Sequence, residues 1–262
     1  MSPPENSNTA TPRTVVVTGA SSGIGATLAR ALAERGDRVA IGARRRDRLQ
    51  EVEDAILESG GSVFAHPLDV TDLESIKDFF AATTDALGPI DVAVNNAGLS
   101  IPSWLHESDP EDLAREIATN LLGPMLVSRC VLPAMLEREI GDLVFIGSDN
   151  ADNPRPQQSG YSAAKAGIKT FCRVLAMELE GTGVRVTHLR LGPTLSEFGF
   201  AWSQETMASV IASWQPFGLT RNMAFMEASM VADAVIHALD APRSASFANI
   251  ELQPTAPPRS SQ

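Results

Sequence analysis

Apolar and polar positions divide the chain into two kinds of segment. Short apolar runs recur along it: TVVVTGA at 14–20, RVAIGA at 38–43, VFAHPL at 63–68, VAVNNA at 92–97, DLVFIGS at 142–148, VRVTHLRL at 184–191 and FANIEL at 247–252. Most are dominated by Val, Ile, Leu and Phe with little polar alternation, the pattern of strands covered on both faces. Between them lie segments such as TLARALAERG and LQEVEDAILESG. Their apolar positions return at helical spacing, and each ends on glycine, which suits a helix C-terminus. A repeated βα alternation predicts an α/β fold with a parallel sheet of about seven strands and right-handed crossovers.

Outside this body, residues 1–12 and 254–262 are polar and rich in Ser, Thr, Asn, Gln and Pro, and they read as tails. A single domain over 13–253 accounts for the remainder of the 262 residues. No stretch approaches the ~18 consecutive apolar residues of a spanning helix. The opening MSPPENSNTATPR lacks an apolar leader run, so a soluble cytoplasmic protein with no membrane partner is expected. The net charge of −11 argues against nucleic-acid binding, which relies on a basic surface. Cys130 and Cys172 sit in apolar helical patterns without CxxC spacing, and the four histidines are scattered, so no metal site is expected. Against this acidic background the cluster RRRDR at 44–48 stands out.

The first strand runs directly into TGASSGIG at 18–25 and then into a helical pattern. Gly19 can take a tight turn, Gly23 lets the backbone approach a pyrophosphate, and Gly25 permits close packing of helix on strand. Free N–H groups and the helix dipole then favour phosphate charge. The loop Gly19, Ser21, Ser22, Gly23, Ile24, Gly25 is therefore read as dinucleotide-binding. An NAD site usually offers a carboxylate to the ribose 2′-hydroxyl about 20 residues further on, whereas arginine serves a 2′-phosphate. Here Ala43 and Arg44 stand in that place, followed by Arg45. The expected cofactor is NADP(H), with Arg44 and Arg45 facing the adenosine phosphate and Arg46 and Arg48 in solvent.

The chain's single tyrosine, Tyr161, opens YSAAK, four residues ahead of Lys165 and so on the same helix face. With TGASSGIG, NNAG at 95–98, Ser148 and YSAAK in this order, the sequence closely resembles the short-chain dehydrogenase/reductase family over about residues 13–253. The resemblance implies a Rossmann-type, doubly wound parallel sheet and hydride transfer to or from a nicotinamide. It assigns Asn120, Ser148, Tyr161 and Lys165 to the catalytic tetrad, and Asp69 and Val70 to the adenine. Asn96, Ala97 and Gly98 fall in the cofactor segment after the fourth strand. One departure follows the sixth strand, where LRLGPTLSEF puts Leu191 in place of the family's proline. Gly192 is kept, Ser196 falls at the usual threonine position, and Thr194 competes with it for the nicotinamide carboxamide.

Within this resemblance Tyr161 exchanges a proton with the substrate oxygen, Ser148 orients that oxygen, Lys165 holds the nicotinamide ribose, and Asn120 links the lysine to a water chain. A tyrosine ordinarily titrates near 10, and bringing it to 7 takes ~4 kcal/mol. One charge at ~4 Å with an effective dielectric of ~20 supplies about that much, so Lys165 is expected to lower the phenol.

The stretch 197–226 is rich in aromatics and methionine and reads as part of a substrate lid spanning about 194–226. Phe198, Phe200, Trp202 and Trp214 are its candidate pocket residues. Trp104 and His106 are candidates for the opposite wall, and Asn150, Arg155 and Gln157 for polar recognition. The leading expectation is an NADP(H)-dependent reductase of a lipophilic ketone, or the reverse alcohol dehydrogenase, acting on a small-molecule substrate. The alternatives are a 3-oxoacyl-thioester reductase and a noncatalytic NADP-binding scaffold. The resemblance also implies a homodimer or homotetramer built through the helices that carry Asn120 and Tyr161.

Overall fold

The computed structural model describes residues 12–196, 202–221 and 223–256. All seven apolar runs form strands: β1 (Thr14–Thr18), β2 (Arg38–Ala43), β3 (Ser62–Pro67), β4 (Val92–Asn95), β5 (Gly141–Ile146), β6 (Val184–Leu191) and β7 (Asn249–Leu252). They make one sheet in the order β3-β2-β1-β4-β5-β6-β7, and every pairing is parallel. The order reverses between β1 and β4. In such sheets the crevice beyond the strand C-termini at that reversal is the usual ligand site.

The helices are α1 (Gly23–Glu34), α2 (Arg46–Glu58), α3 (Leu73–Leu87), α4 (Pro110–Ile117), α5 (Gly123–Glu137), α6 (Ser159–Glu178), α7 (Gln204–Trp214) and α8 (Ala228–Leu239). They cover both faces of the sheet and divide the core in two. One cluster joins α1, α2 and α8 to residues such as Val15, Val17 and Ile41. The other joins α3, α5 and α6 to Val16, Leu143 and Phe145. Central strands are buried throughout, whereas β3 and β7 are only partly covered because they are the sheet edges.

Between α4 and α5 the chain makes one wide turn, Ala118–Leu122, with the spacing of a π-helix. Such bulges interrupt the regular backbone ladder and cluster at functional sites. The continuous run Pro110–Glu137 has the length and apolar content to cross a membrane. Here its inner face, including Val127 and Met135, packs fully into the core.

Candidate active site

Most of the sequence-predicted residues lie at the C-terminal ends of the strands, on both sides of the reversal. Gly19 turns the chain out of β1 with φ +67°, and its N–H donates to the Gly42 carbonyl at 2.8 Å. A Cβ there would stand 2.7 Å from Ala97 Cα, and one on Gly25 would stand 2.5 Å from Asn96 Nδ2 and 2.6 Å from the Gly19 carbonyl oxygen. The loop is thus closed down to the size of hydrogen at both positions. Ser22 caps α1 without a side-chain bond, and the first turn carries no acid. Its N–H groups therefore keep their affinity for an anion.

Arg45 folds back over this loop. Its Nε and one Nη lie 3.2 and 3.1 Å from Ser21 Oγ, and that Nη also reaches Ser22 Oγ at 2.5 Å. Arg44 is exposed beside it. The serines also line a cavity of about 270 Å³ with Arg30 and Arg48, whose guanidinium pairs with Glu51 at 3.1 Å. An uncapped helix start, a glycine cradle and a guanidinium among hydroxyls form a donor set that fits a pyrophosphate and a further phosphate.

Other predicted cofactor residues act through the loop's framework. Asn96 donates from Nδ2 to the carbonyls of Thr18 and Gly19, at 2.9 and 3.2 Å, and Thr18 Oγ1 accepts from the amides of Asn96 and Ala97 at 3.0 Å each. Asp69 accepts from the Thr71 amide and hydroxyl, while buried Val70 packs where a side chain on Gly123 would have to go. Thr194 donates to the Gly192 carbonyl at 3.1 Å, so its hydroxyl is turned into its own loop. Ser196 is half-buried nearby, and Ile24 packs against the core under the loop. Leu191 is buried at the end of β6 in register with Leu252, which extends the ladder where the family has proline.

Ser148, Tyr161 and Lys165 meet beyond β5. All three are buried, and the Ser148 hydroxyl shares a hydrogen bond with the Tyr161 phenol. Ser148 Oγ also accepts from the Asn150 amide at 3.1 Å, which fixes its direction. Lys165 Nζ donates to the Ile146 carbonyl at 2.8 Å and lies 5.6 Å from the centroid of the Tyr161 ring. Burial pushes the phenol up to about 12 and the lysine down to about 8. The lowering expected from Lys165 is therefore not present within the protein's own residues. Desolvation acts on both partners and is the largest influence on each.

Asn120 sits in the wide turn, where its side chain accepts from the Leu99 amide at 3.1 Å and donates to the carbonyls of Leu99 and Glu116 at 2.7 and 2.9 Å. It reaches Lys165 only across Gly98, whose missing Cβ would be 2.9 Å from Asn120 Oδ1 and 3.9 Å from Lys165 Nζ.

The predicted recognition residues separate. Asn150 is buried and donates to Gln158 at 2.8 Å, and Arg155 is held by Asp149 through two bonds of 2.8 and 2.7 Å, so neither is free to receive an anion. Gln157 donates to Ser209 on α7 at 3.1 Å. Trp214 lies under Arg155 and donates to the Pro156 carbonyl, and Trp202 donates to the Ser100 carbonyl, each at 3.1 Å. His106 projects into solvent beside Glu107, and Trp104 is 42% exposed. Phe198 and Phe200 lie outside the described residues. Sequence reasoning missed Asp149, Gln158 and Glu116. Their one visible signal is position, next to Ser148, before the Tyr161 helix and one turn before Asn120.

The chain matches the family described as short chain dehydrogenase over residues 13–206. It is 38% identical over 190 residues to a short chain dehydrogenase of Pseudocercospora fijiensis, an alignment taking in 71% of this chain and 61% of that protein. It is also 38% identical over 179 residues to an NADP-dependent 3-hydroxy acid dehydrogenase of Salmonella typhi, covering 68% of this chain and 71% of the relative. Among solved structures, the closed form of a serine dehydrogenase complexed with NADP+ superposes with a TM-score of 0.82 at 29% identity, covering 95% of this chain and 99% of the other. The chain spans about three fifths of the first of these relatives; with the seven-stranded parallel sheet and a family match across most of it, it belongs to the short-chain dehydrogenase family.

Proposed function

We propose that this oxidoreductase uses NADP(H) to reduce a ketone to a secondary alcohol, with Tyr161 as the proton donor. The observation that carries the reading is the buried phenol bonded to Ser148, with Lys165 one helical turn beyond it. When bound, the reduced nicotinamide supplies hydride to the carbonyl carbon. The protein's task is to deliver a proton to the oxygen. A phenol pushed up to about 12 stays protonated through neutral pH. It is therefore a competent acid toward an alkoxide, which is a far stronger base. Ser148 orients the carbonyl oxygen and adds a second donor to the charge that develops on it. Lys165 would hold the cofactor ribose from its place one turn beyond Tyr161. Its lowered value, about 8, leaves it mostly protonated at pH 7.

The preference for the phosphorylated cofactor rests on Arg45 above Ser21 and Ser22, with Arg44 adjacent. The NADP named for both the Salmonella relative and the superposed serine dehydrogenase agrees with it. Apolar side chains at exposed positions on the helices of Asn120 and Tyr161, among them Met125, Leu136, Val174 and Met177, support assembly as a dimer or tetramer.

The test is NADPH consumption against ketones graded from small and polar to bulky and apolar, including a 3-oxoacyl thioester, with Tyr161→Phe alongside. Turnover abolished in the variant, with NADPH binding kept, is the expected result. Wild-type rates in Tyr161→Phe would overturn the proton-donor role. NADPH binding without turnover of any ketone would favour a protein that binds the cofactor without using it.

A further inference from the structure

Four carboxylates are buried among the described residues: Asp37, Glu116, Asp142 and Asp149. Three are paired with arginine, Asp37 with Arg35, Asp142 with Arg185 and Asp149 with Arg155. Glu116, at 2% exposure, has no cationic partner among the described residues. A buried carboxylate left uncompensated is costly, so its donors must come from elsewhere. They come from two segments of the active site. Oε1 accepts from the Ile101 amide at 2.8 Å, and the carboxylate also takes the Ser100 hydroxyl and the Tyr161 amide.

The last of these contacts matters most. The helix α6 begins at Ser159, so the Tyr161 amide is one of its unsatisfied first-turn donors. Its own N-cap residue, Gln158, makes no capping bond, and its first turn contains no acid. Glu116 supplies both from the neighbouring helix α4. Gly160 makes the approach possible, because a Cβ there would be 2.3 Å from Glu116 Oε2. The main-chain carbonyl of Glu116 meanwhile accepts from Asn120 Nδ2 at 2.9 Å.

We propose that Glu116 is the positioning residue of Tyr161: its carboxylate caps α6 from α4, fixes the tyrosine against Ser148, and joins that position to the wide turn holding Asn120. This rests on the reading of Tyr161 as proton donor and adds a residue to it. The charge has a second consequence. The groups facing the phenol are Asp149 and Arg155 from the loop after β5, Lys165 from its own helix and Glu116 from α4, and the negative charge of Glu116 helps the phenol keep its proton. Asp112 is the charged neighbour of Glu116 on α4.

Because Tyr161 is the only tyrosine, tyrosinate absorbance titrates it alone, whether or not a substrate is known. In Glu116→Gln, with folding followed by circular dichroism, the tyrosinate midpoint is expected at lower pH than in wild type. NADPH affinity should stay within twofold while kcat for a ketone falls about tenfold at similar KM, as displacement of a catalytic group predicts. A second variant, Gly160→Ala, keeps the charge and displaces the carboxylate. It should lose kcat several-fold with NADPH affinity intact, and it serves as the test if Glu116→Gln does not fold. An unchanged midpoint in folded Glu116→Gln, or wild-type kcat in Gly160→Ala, would overturn the proposal. Were wild type to reduce no ketone, the function above would fail, and the titration alone would still decide Glu116: a downward shift upholds it and an unchanged midpoint rejects it.

Discussion

The ammonium of Lys165 stands 5.6 Å from the ring centroid of Tyr161, and its hydrogen bond goes to the Ile146 carbonyl. Both residues are buried, and burial shifts them in opposite directions, the lysine down to about 8 and the phenol up to about 12. Each shift marks a cost of holding the charged form away from water.

Stability should record both shifts. An unfolded lysine titrates near 10.4, so between about pH 8 and 10 the unfolded chain binds more protons at Lys165 than the folded one does. Stability from this group therefore rises with pH across that window, by up to ~1.4 kcal/mol per unit. The phenol acts oppositely between about 10 and 12, where the folded state keeps a proton that the unfolded state has lost. Denaturant unfolding of wild type minus Lys165→Met should show the rise above pH 8. A flat difference would mean that the lysine is not desolvated as its surroundings require.

Cofactor choice should follow Arg45 more than Arg44. A hydrogen bond to a charged group contributes roughly 1.5–3 kcal/mol, so Arg45→Ala should raise the NADPH KM by about 10- to 100-fold and leave NADH nearly unchanged. Arg44→Asp places an acid where NAD sites carry one and should move preference toward NADH. Paired KM values for both cofactors decide the matter, and an unchanged ratio in Arg44→Asp would assign the phosphate to Arg45.

All seven strands, their parallel pairing and the glycine loop were legible in the sequence, because buried strands and a strand-to-helix glycine turn leave local signals. Ser148, Tyr161 and Lys165 were legible as a set through the family pattern. The direction of the proton affinities was not, since it depends on burial, which residue spacing does not encode. Nor was the use of Arg155, which looked available for an anion and is taken by Asp149, six residues before it. Glu116 shows the same limit: its partners Ile101 and Tyr161 are 15 and 45 positions away and come together only through packing of α4 on α6.

The contacts of α7 make the expected lid role of this segment testable. Trp214 holds the 149–158 loop by its Nε1 bond to Pro156 and by lying under Arg155, while Gln157 grips Ser209. Trp214→Ala removes the ring and the donor together. It should raise the KM for a ketone about tenfold with the NADPH KM unchanged, the pattern of lost substrate binding remote from the hydride. A fall in kcat alone would show that the indole acts through Tyr161, by way of the Asp149–Arg155 pair.

Gly25→Ala should separate the cost of folding from the cost of cofactor binding. The new Cβ would meet Asn96 Nδ2 at 2.5 Å and the Gly19 carbonyl oxygen at 2.6 Å. The amide side chain can move, but the carbonyl cannot move easily, because the Gly19 amide is bonded to Gly42 and Asn96 also grips the turn. The loop must therefore shift as a unit. Overpacking of this kind costs roughly 1–3 kcal/mol, a Tm loss of several degrees in a chain of this size. Moving the cradle should also weaken NADPH binding at least tenfold. Gly36→Ala is the matched control: its φ of +94° makes alanine strained there, yet no atom lies within 4 Å of the added carbon. It should lower Tm with NADPH affinity unchanged. Equal losses of affinity in the two variants would show that general destabilisation, not the geometry of the glycine cradle, limits cofactor binding.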